Sequence, residues 1–289
     1  MLCILYVIAL SGGLGVIAWL VEPTLPETAP RRWLWLSAIV LSVVIPAIYV
    51  SNHHAIVTRT AVGDTTVWSR ISAFDGEIRL VWLVVTIALV VWGVVGALRL
   101  ARLVPARTKP VIVHPTLGPA TVGLLRTRVV VPAWVRALPG EERRYVLQHE
   151  YEHKRAHDTQ LLFFASLIVV IAPWNIVLWW LVRRLSLAVE IDCDNRVLAG
   201  RGDASRYGEL LLKVAVNEVP SPRLQPAFLG GSGMLERRLR HLLAPPRLSR
   251  VQRILALAIA GAVLIIALAT PHPVLRSQVE THPHASSAQ

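Results

Sequence analysis

Long apolar runs separated by short polar segments dominate the chain. A membrane-spanning helix needs about 20 mainly apolar residues. Four stretches meet or approach that length: Leu2–Val21, Trp33–Val50, Leu80–Leu98 and Ile254–Thr270. The pattern predicts an α-helical multi-pass membrane protein, with three transmembrane helices in residues 1–98 and a last one at residues 254–270. The Pro-, His- and Ser-rich residues 271–289 predict a disordered extracytoplasmic tail.

Composition supports a lipid environment. Of the 289 residues, 54% are hydrophobic and only 17% are charged, whereas a soluble domain carries about a quarter charged residues. The net charge of +12 could favour nucleic acid or an anionic membrane surface. The charges flank apolar stretches and do not alternate with base-stacking aromatic residues. We therefore expect the lipid bilayer as a partner and no direct nucleic-acid binding.

The distribution of basic residues predicts the orientation of the chain. Residues 99–160 contain eleven Lys and Arg side chains, whereas the loop 51–79 has three Arg against three acidic residues. Cytoplasmic loops of membrane proteins carry the excess of Lys and Arg. Residues 99–160 are therefore expected in the cytoplasm of a bacterial cell, with the N-terminus, the 51–79 loop and the C-terminal tail outside.

The polar region at residues 99–253 predicts a small α+β part. Val129–Val131 is a β-branched run typical of a strand, and a helix is predicted to begin at Pro139, which suits a first helical turn. Residues 190–199 and 204–216 predict two further helices. The segment Leu235–Leu243 is amphipathic, with leucines opposed to Arg237, Arg238 and Arg240, and fits either an interfacial helix or a helix packed on a soluble core.

The sequence His149-Glu150-Tyr151-Glu152-His153 carries the chemistry. Histidines four residues apart lie on one face of a helix, so both imidazoles can bind one tetrahedral metal ion. Glu150 lies beside them and can act as the base that takes a proton from water. The HExxH spacing on a helix is a specific signal for a zinc metallopeptidase.

A catalytic zinc ion keeps three protein ligands and one open position. We expect Glu190 to be the third ligand and Asp194, four residues later, to support a ligand histidine. Cys193 is the alternative third ligand, disfavoured because Glu190 and Asp194 are expected to share a helix face that Cys193 does not. Arg196 is expected beside the site, either stabilising an oxyanion or paired with Asp192 or Asp194.

The shared ion constrains the apolar segment 161–182. One crossing of the bilayer would place His149 and Glu190 about 30 Å apart, whereas zinc bonds are about 2 Å long. The segment must therefore enter and return, as two helices of about a dozen residues each that turn at Pro173-Trp174-Asn175. This argument predicts a re-entrant apolar hairpin within the cytoplasmic metallopeptidase domain.

Five motifs occur together in the chain: Thr121–Gly123, Val129–Pro132, His149–Asp158, Pro173–Asn175 and Glu190–Leu198. In this combination the chain resembles the membrane metallopeptidases of the BlaR/MecR type, the antirepressor family of β-lactam sensing. The resemblance implies a zincin-like part that faces the cytoplasm. It also implies that His149, His153 and Glu190 bind zinc, that Glu150 is the base, and that a cytoplasmic protein, typically a transcriptional repressor, is cleaved.

The chain departs from the sensors of that family in one respect. No SxxK, SDN or KTG motif of a penicillin-binding domain occurs in it, so direct β-lactam sensing is not expected. Two other functions stay open: a quality-control membrane peptidase similar to the Ste24/HtpX type, and a non-catalytic signalling scaffold stabilised by zinc. A homo-oligomer is compatible with the sequence.

Overall fold

The computed structural model describes residues 2–53, 75–103, 111–114, 118–124, 126–199, 203–217, 232–244 and 248–269. The chain is mostly helical with one small sheet. Its helices are α1 (Leu2–Val21), α2 (Arg31–His53), α3 (Asp75–Leu103), α4 (Gly140–Arg155), α5 (Asp158–Ile171), α6 (Ile176–Leu198), α7 (Ala204–Asn217), α8 (Ser232–Leu243) and α9 (Arg250–Ala269). Short 3-10 helices lie at Glu22–Thr24 and Ala133–Ala137.

Three helical segments in the described part of the chain are long and apolar enough to cross a membrane: Ile4–Thr24, Arg31–Ile48 and Gly76–Arg102. They correspond to the first three predicted spans. The fourth predicted span falls on α9, which packs against α1 but is not among these three segments; its crossing stays a prediction. The predicted tail and most of the 51–79 loop lie outside the described residues.

The sheet has three strands, β1 (Val111–His114), β2 (Ala120–Val122) and β3 (Arg128–Pro132), in the order β1-β3-β2. β3 is central and pairs in parallel with β1 and antiparallel with β2. The buried residues Val129, Val130 and Val131 make β3 the apolar base of the sheet. The β-branched run in the sequence therefore predicted the central strand correctly, and β2 lies at the edge of the sheet.

The apolar segment doubles back where the sequence requires it. α5 ends at Ile171, and Asn175 caps α6 by accepting hydrogen bonds from the backbone N–H groups of Val177 and Leu178. The Asn175 amide also donates to Ser11 Oγ at 3.0 Å, so the turn contacts the middle of α1. The turn is thus fixed by one buried side chain that bonds to both sides.

The two arms of the hairpin differ from the prediction in length. α5 has 14 residues, but α6 has 23 and continues without a break through Glu190. Residues 190–199 are therefore the last turns of α6 and not a separate helix. The prediction of a short second arm was wrong, because α6 continues through charged residues without ending. Arg184 instead forms an ion pair with Glu22 and lies over the Trp35 ring, so a charged residue is accommodated inside the helix.

α6 takes part in two apolar cores. Its first half packs with α1, α2 and α5 through residues that include Leu178, Leu181 and Leu185. Its last turn contributes Val197 to a second core, formed with the sheet, α4, α7 and α8. A single helix therefore joins the apolar bundle to the α+β part.

The amphipathic α8 packs on this second core. Leu235, Leu239 and Leu242 contact the core residues, and Leu239 lies 3.4 Å from the position that a Cβ on Gly208 would take. Of the two interpretations of this segment, the structure supports packing on a core.

Replacement of Asn175 by alanine tests the role of the cap. The substitution removes the acceptor for two backbone N–H groups and the donor to Ser11, so we expect a loss of about 1–2 kcal/mol of stability. Thermal unfolding of the detergent-purified protein measures it. Asn217→Ala, at the exposed end of α7, is the matched control; an equal effect of both substitutions would contradict the assigned role.

Candidate metal centre

α4 and the turn after it shape one side of the site. The helix begins after Pro139 with Glu141 and Glu142 in its first turn, which suits the positive end of a helix. It ends before His157, the one non-glycine residue with positive φ (57°) among those described. The left-handed backbone at His157 reverses the chain sharply and brings Asp158 back beside His153. The side chain of His157 is exposed, which argues against His157 as a metal ligand.

The structure brings His149, His153 and Glu190 together. The two Nε2 atoms lie 3.1 Å apart, Glu190 Oε2 lies 3.6 Å from Nε2 of His149, and Glu190 Oε1 lies 3.8 Å from Nε2 of His153. Ligands around a tetrahedral zinc ion with bonds of 2.0–2.1 Å lie about 3.3 Å from one another. The two imidazoles and the Glu190 carboxylate, which approaches each histidine through a different oxygen, are therefore close enough together to hold one such ion.

Asp158 orients the ring of His153. Its Oδ2 lies 2.9 Å from His153 Nδ1, while Arg32 Nη1 and Arg196 Nη2 contact its two oxygens at 2.6 and 3.0 Å. Two guanidinium groups donate to this buried carboxylate, and its Oδ2 is placed to accept the Nδ1 proton of His153. The Nε2 lone pair of His153 then faces the site, as in the carboxylate–histidine pairs of metal proteins.

Tyr207 orients the ring of His149. The Tyr207 hydroxyl lies 2.8 Å from Asp194 Oδ1 and 2.9 Å from His149 Nδ1. Burial and the adjacent Asp194 carboxylate raise the pKa of Tyr207 well above its usual value, so the hydroxyl keeps its proton. The single hydroxyl proton goes to Asp194, and the oxygen accepts the proton on His149 Nδ1. Asp194 thus supports His149 mainly through Tyr207, with a direct Oδ1–Nδ1 distance of 3.5 Å.

Cys193 lies closer to the site than the sequence analysis expected. Its buried Sγ is 3.4 Å from His149 Nδ1, and donor atoms of His149, His153 and Cys193 all lie within 4.8 Å of one another. The expectation that Cys193 leaves the face of Glu190 was wrong, because residues three apart on a helix are neighbours. The Cys193 thiol also interacts with His153, so both Cys193 and Glu190 approach the two histidines, Glu190 at Nε2 of each ring.

Glu150 lies between the metal-binding face and the sheet. Only 5% of it is exposed, and Thr121 Oγ1 in β2 lies 3.0 Å from its Oε2 and 2.8 Å from its backbone oxygen. The single hydroxyl proton of Thr121 can go to either of these two acceptors, so the hydroxyl bonds to the side chain or to the backbone of Glu150. The edge strand β2 is held directly beside the predicted base.

The electrostatics of the site favour positive charge at the histidines. Burial opposes protonation of His149, but Cys193 and Glu190 outweigh it and raise its pKa to about 10. Burial also favours the neutral form of Glu190, but Arg238 and the two histidines hold its pKa well below the usual value. The negative groups around the histidines therefore favour a positive charge at this place, and a metal ion would supply it in exchange for the imidazole protons.

Sequence reasoning missed several residues of the site. Arg196 does not pair with Asp192 or Asp194; it contacts Asp158 and Glu152, because Asp192 binds α2 and Asp194 binds Arg238. The other residues that it missed in these contacts are Arg32, Thr121, Tyr207 and Arg238. Only Arg238 had a usable signal, since it is three residues after Leu235 and four before Leu242, on the buried stripe of α8.

Comparison with known protein families agrees with this geometry. Residues 3–242 match the family described as BlaR1 peptidase M56. The match covers most of the chain, and the protein belongs to this metallopeptidase family. The earlier resemblance to the BlaR/MecR type is therefore confirmed, and the family implies a metal cofactor.

Two relatives illustrate the similarity. The chain is 29% identical over 98 residues to "Regulatory protein BlaR1" of Bacillus licheniformis, covering 33% of this chain and 16% of the relative. It is 28% identical over 164 residues to "Methicillin resistance mecR1 protein" of Staphylococcus aureus, covering 52% of this chain and 27% of the relative. The matched region is thus about a quarter or less of the length of these relatives.

Replacement of the two rival ligands tests which one binds the metal. Glu190→Gln weakens the carboxylate donor, and we expect loss of stoichiometric zinc, measured by mass spectrometry of the purified protein. Cys193→Ser should keep zinc, and the cobalt-substituted wild type should lack a thiolate-to-cobalt charge-transfer band. Retention of zinc in Glu190→Gln together with its loss in Cys193→Ser would assign the ligand to Cys193.

Removal of the carboxylate behind His153 tests the orientation of that ligand. Asp158→Asn takes away the charge that accepts the Nδ1 proton, and loss of such outer contacts weakens metal binding about 10–100-fold. Competition with a chelator measures the affinity. Asp203→Asn, in an exposed cap of α7, serves as the control; equal affinity in all three proteins would contradict the assigned role.

Proposed function

We propose that the protein is a membrane-embedded, zinc-dependent endopeptidase that cleaves a cytoplasmic protein, a transcriptional repressor being the expected substrate, in signal transduction. The observation that carries the proposal is the meeting of two oriented imidazoles and Glu190 beside the buried Glu150. Three ligands leave one position for water, as catalytic zinc sites do, whereas structural sites fill all four. A non-catalytic scaffold would not need the base.

The residues of the site divide the chemistry between them. When bound by His149, His153 and Glu190, zinc would supply a Lewis acid that acidifies water and polarises a peptide carbonyl. Glu150 takes the proton of the water whose oxygen attacks the carbonyl carbon. It then delivers that proton to the nitrogen as the C–N bond breaks, leaving a carboxylate and an amine. Thr121 holds the Glu150 carboxylate in place during both transfers.

The edge strand β2 supports a peptide as the substrate class. β2 pairs with β3 on one side only among the described residues, and Thr121 links it to Glu150. An extended peptide could add to the free edge through backbone hydrogen bonds and lie across the metal-binding face. This placement favours an unfolded loop or linker of a protein over a compact surface.

The membrane arrangement follows from the distribution of charge. The site lies beside the N-terminal end of α2, where Arg31 and Arg32 begin the helix. The excess of Lys and Arg around the site supports a position on the cytoplasmic side of a bacterial plasma membrane, by the positive-inside rule. A cytoplasmic repressor is accessible there, and the names of the two relatives support a role in regulation.

Glu150→Gln separates catalysis from metal binding. The amide cannot accept the proton, so we expect peptide hydrolysis to fall about 10²–10⁴-fold while zinc content is unchanged. Cleavage of unfolded peptides by detergent-purified protein measures the effect. As a control, Gln148→Glu is added to the Glu150→Gln variant. It places a carboxylate two residues away on the same helix and should not restore activity. Undiminished cleavage by Glu150→Gln would contradict the assigned base.

Comparison of the proteomes of cells carrying wild-type protein or Glu150→Gln tests the substrate. Loss of one cleaved, repressor-sized product in the variant supports signalling. Broad accumulation of membrane proteins would instead identify quality control, and identical proteomes would favour the scaffold.

A further inference from the structure

Arg238 is the one residue of α8 that enters the metal-binding pocket. Its guanidinium Nη1 lies 2.9 Å from Glu190 Oε2, while Nε and Nη2 lie 2.9 and 2.7 Å from the two oxygens of Asp194. The side chain is 14% exposed, against 71% for Arg240 two residues later. The planar group is therefore fixed by two carboxylates at once, which is the arrangement that arginine suits and lysine does not.

The contact with Glu190 is made to one particular oxygen. Oε2 accepts from the guanidinium at 2.9 Å and lies 3.6 Å from His149 Nε2, while Oε1 lies 3.8 Å from His153 Nε2. A carboxylate can bind a metal ion through one oxygen or through both. An oxygen that already accepts a short charge-assisted hydrogen bond is a weaker metal donor.

The same guanidinium also supports the opposite side of the site. It neutralises Asp194, a residue only 1% exposed, and Asp194 accepts the Tyr207 proton that sets the orientation of His149. An isolated buried carboxylate would protonate or find another partner. Arg238 thus acts on one ligand directly and on another through two hydrogen-bonded residues.

We propose that Arg238 is a positioning residue that restricts Glu190 to binding the metal through Oε1 alone and thereby keeps one coordination position open for water. The inference rests on the proposed metallopeptidase function and adds a residue to it. With Oε2 held by the guanidinium, Oε1 would be the carboxylate oxygen left to bind a metal ion together with the two histidines. Without Arg238 both oxygens would be able to bind the ion, and the second would fill the position that the reaction needs.

The test uses the full chain in detergent, loaded with Co²⁺ in place of zinc. Four-coordinate cobalt absorbs visible light more strongly than five-coordinate cobalt, so the spectrum reports the number of donors independently of activity. We expect cobalt-saturated Arg238→Gln to lose much of the visible absorption per bound metal ion, because Glu190 then binds through both oxygens. Arg240→Gln, whose partner Glu236 lies on the same exposed face of α8, is the matched control and should resemble the wild type.

Arg238→Lys covers the case in which the glutamine variant does not fold. The lysine keeps the positive charge beside Asp194 but cannot reach both carboxylates in a fork. We expect a folded protein with weaker visible absorption and a lower kcat for peptide cleavage at a nearly unchanged KM. A wild-type spectrum in Arg238→Lys would overturn the proposal, as would a wild-type spectrum in a folded Arg238→Gln.

The outcomes separate this inference from the function on which it rests. Absence of stoichiometric metal in the wild type would refute the metallopeptidase itself. Normal metal binding and cleavage in the wild type, with the same spectrum in both Arg238 variants, would refute only the role of Arg238.

Discussion

The return of α6 to the side of α4 is the constraint on which the rest of the structure depends. Metal bonds of about 2 Å tolerate little misplacement, yet Glu190 and the two histidines are separated by a long apolar segment. That segment must pack in the bundle because it is apolar. Its chain direction must also reverse, because otherwise Glu190 would not lie beside the two histidines. Asn175, Ser11 and the shared core of α6 meet both conditions, so the packing of the bundle determines the geometry of the site.

The site itself is a balance of buried charge. Asp158 accepts a hydrogen bond from His153, and Asp194 accepts one from Tyr207, which in turn contacts His149. Each carboxylate also forms an ion pair with arginine from another helix. A buried carboxylate without such partners would lose its charge or destabilise the fold. The arginines come from α2, α6 and α8, so three elements must be in place before both imidazoles present the correct nitrogen. Site assembly is therefore coupled to the assembly of the whole fold.

The sequence predicted those features that depend on local spacing. Spacings of two and four residues predicted the central strand β3 and the HExxH motif on α4. Apolar runs of about twenty residues predicted the first three apolar helices, and the local sequence predicted the turn at residues 173–175. Glu190 followed from chemistry, because a third ligand had to exist. The contacts of Arg32 with Asp158, of Tyr207 with His149 and of Arg238 with Asp194 could not be predicted in this way, since each joins residues 44 or more positions apart in the chain. The misjudged face of Cys193 is different: spacing alone would have corrected it.

Asp192 caps the first turn of α2 and so connects the helical bundle to the residues around His153. Both carboxylate oxygens accept backbone N–H groups of the first turn of α2, at Arg31 and Arg32, each at 3.0 Å. Arg32 also holds the carboxylate behind His153. A displacement of α2 would therefore pull on its first turn and on Asp158 together. The position of that long apolar helix is coupled to the imidazole of His153 through Arg32 and Asp158.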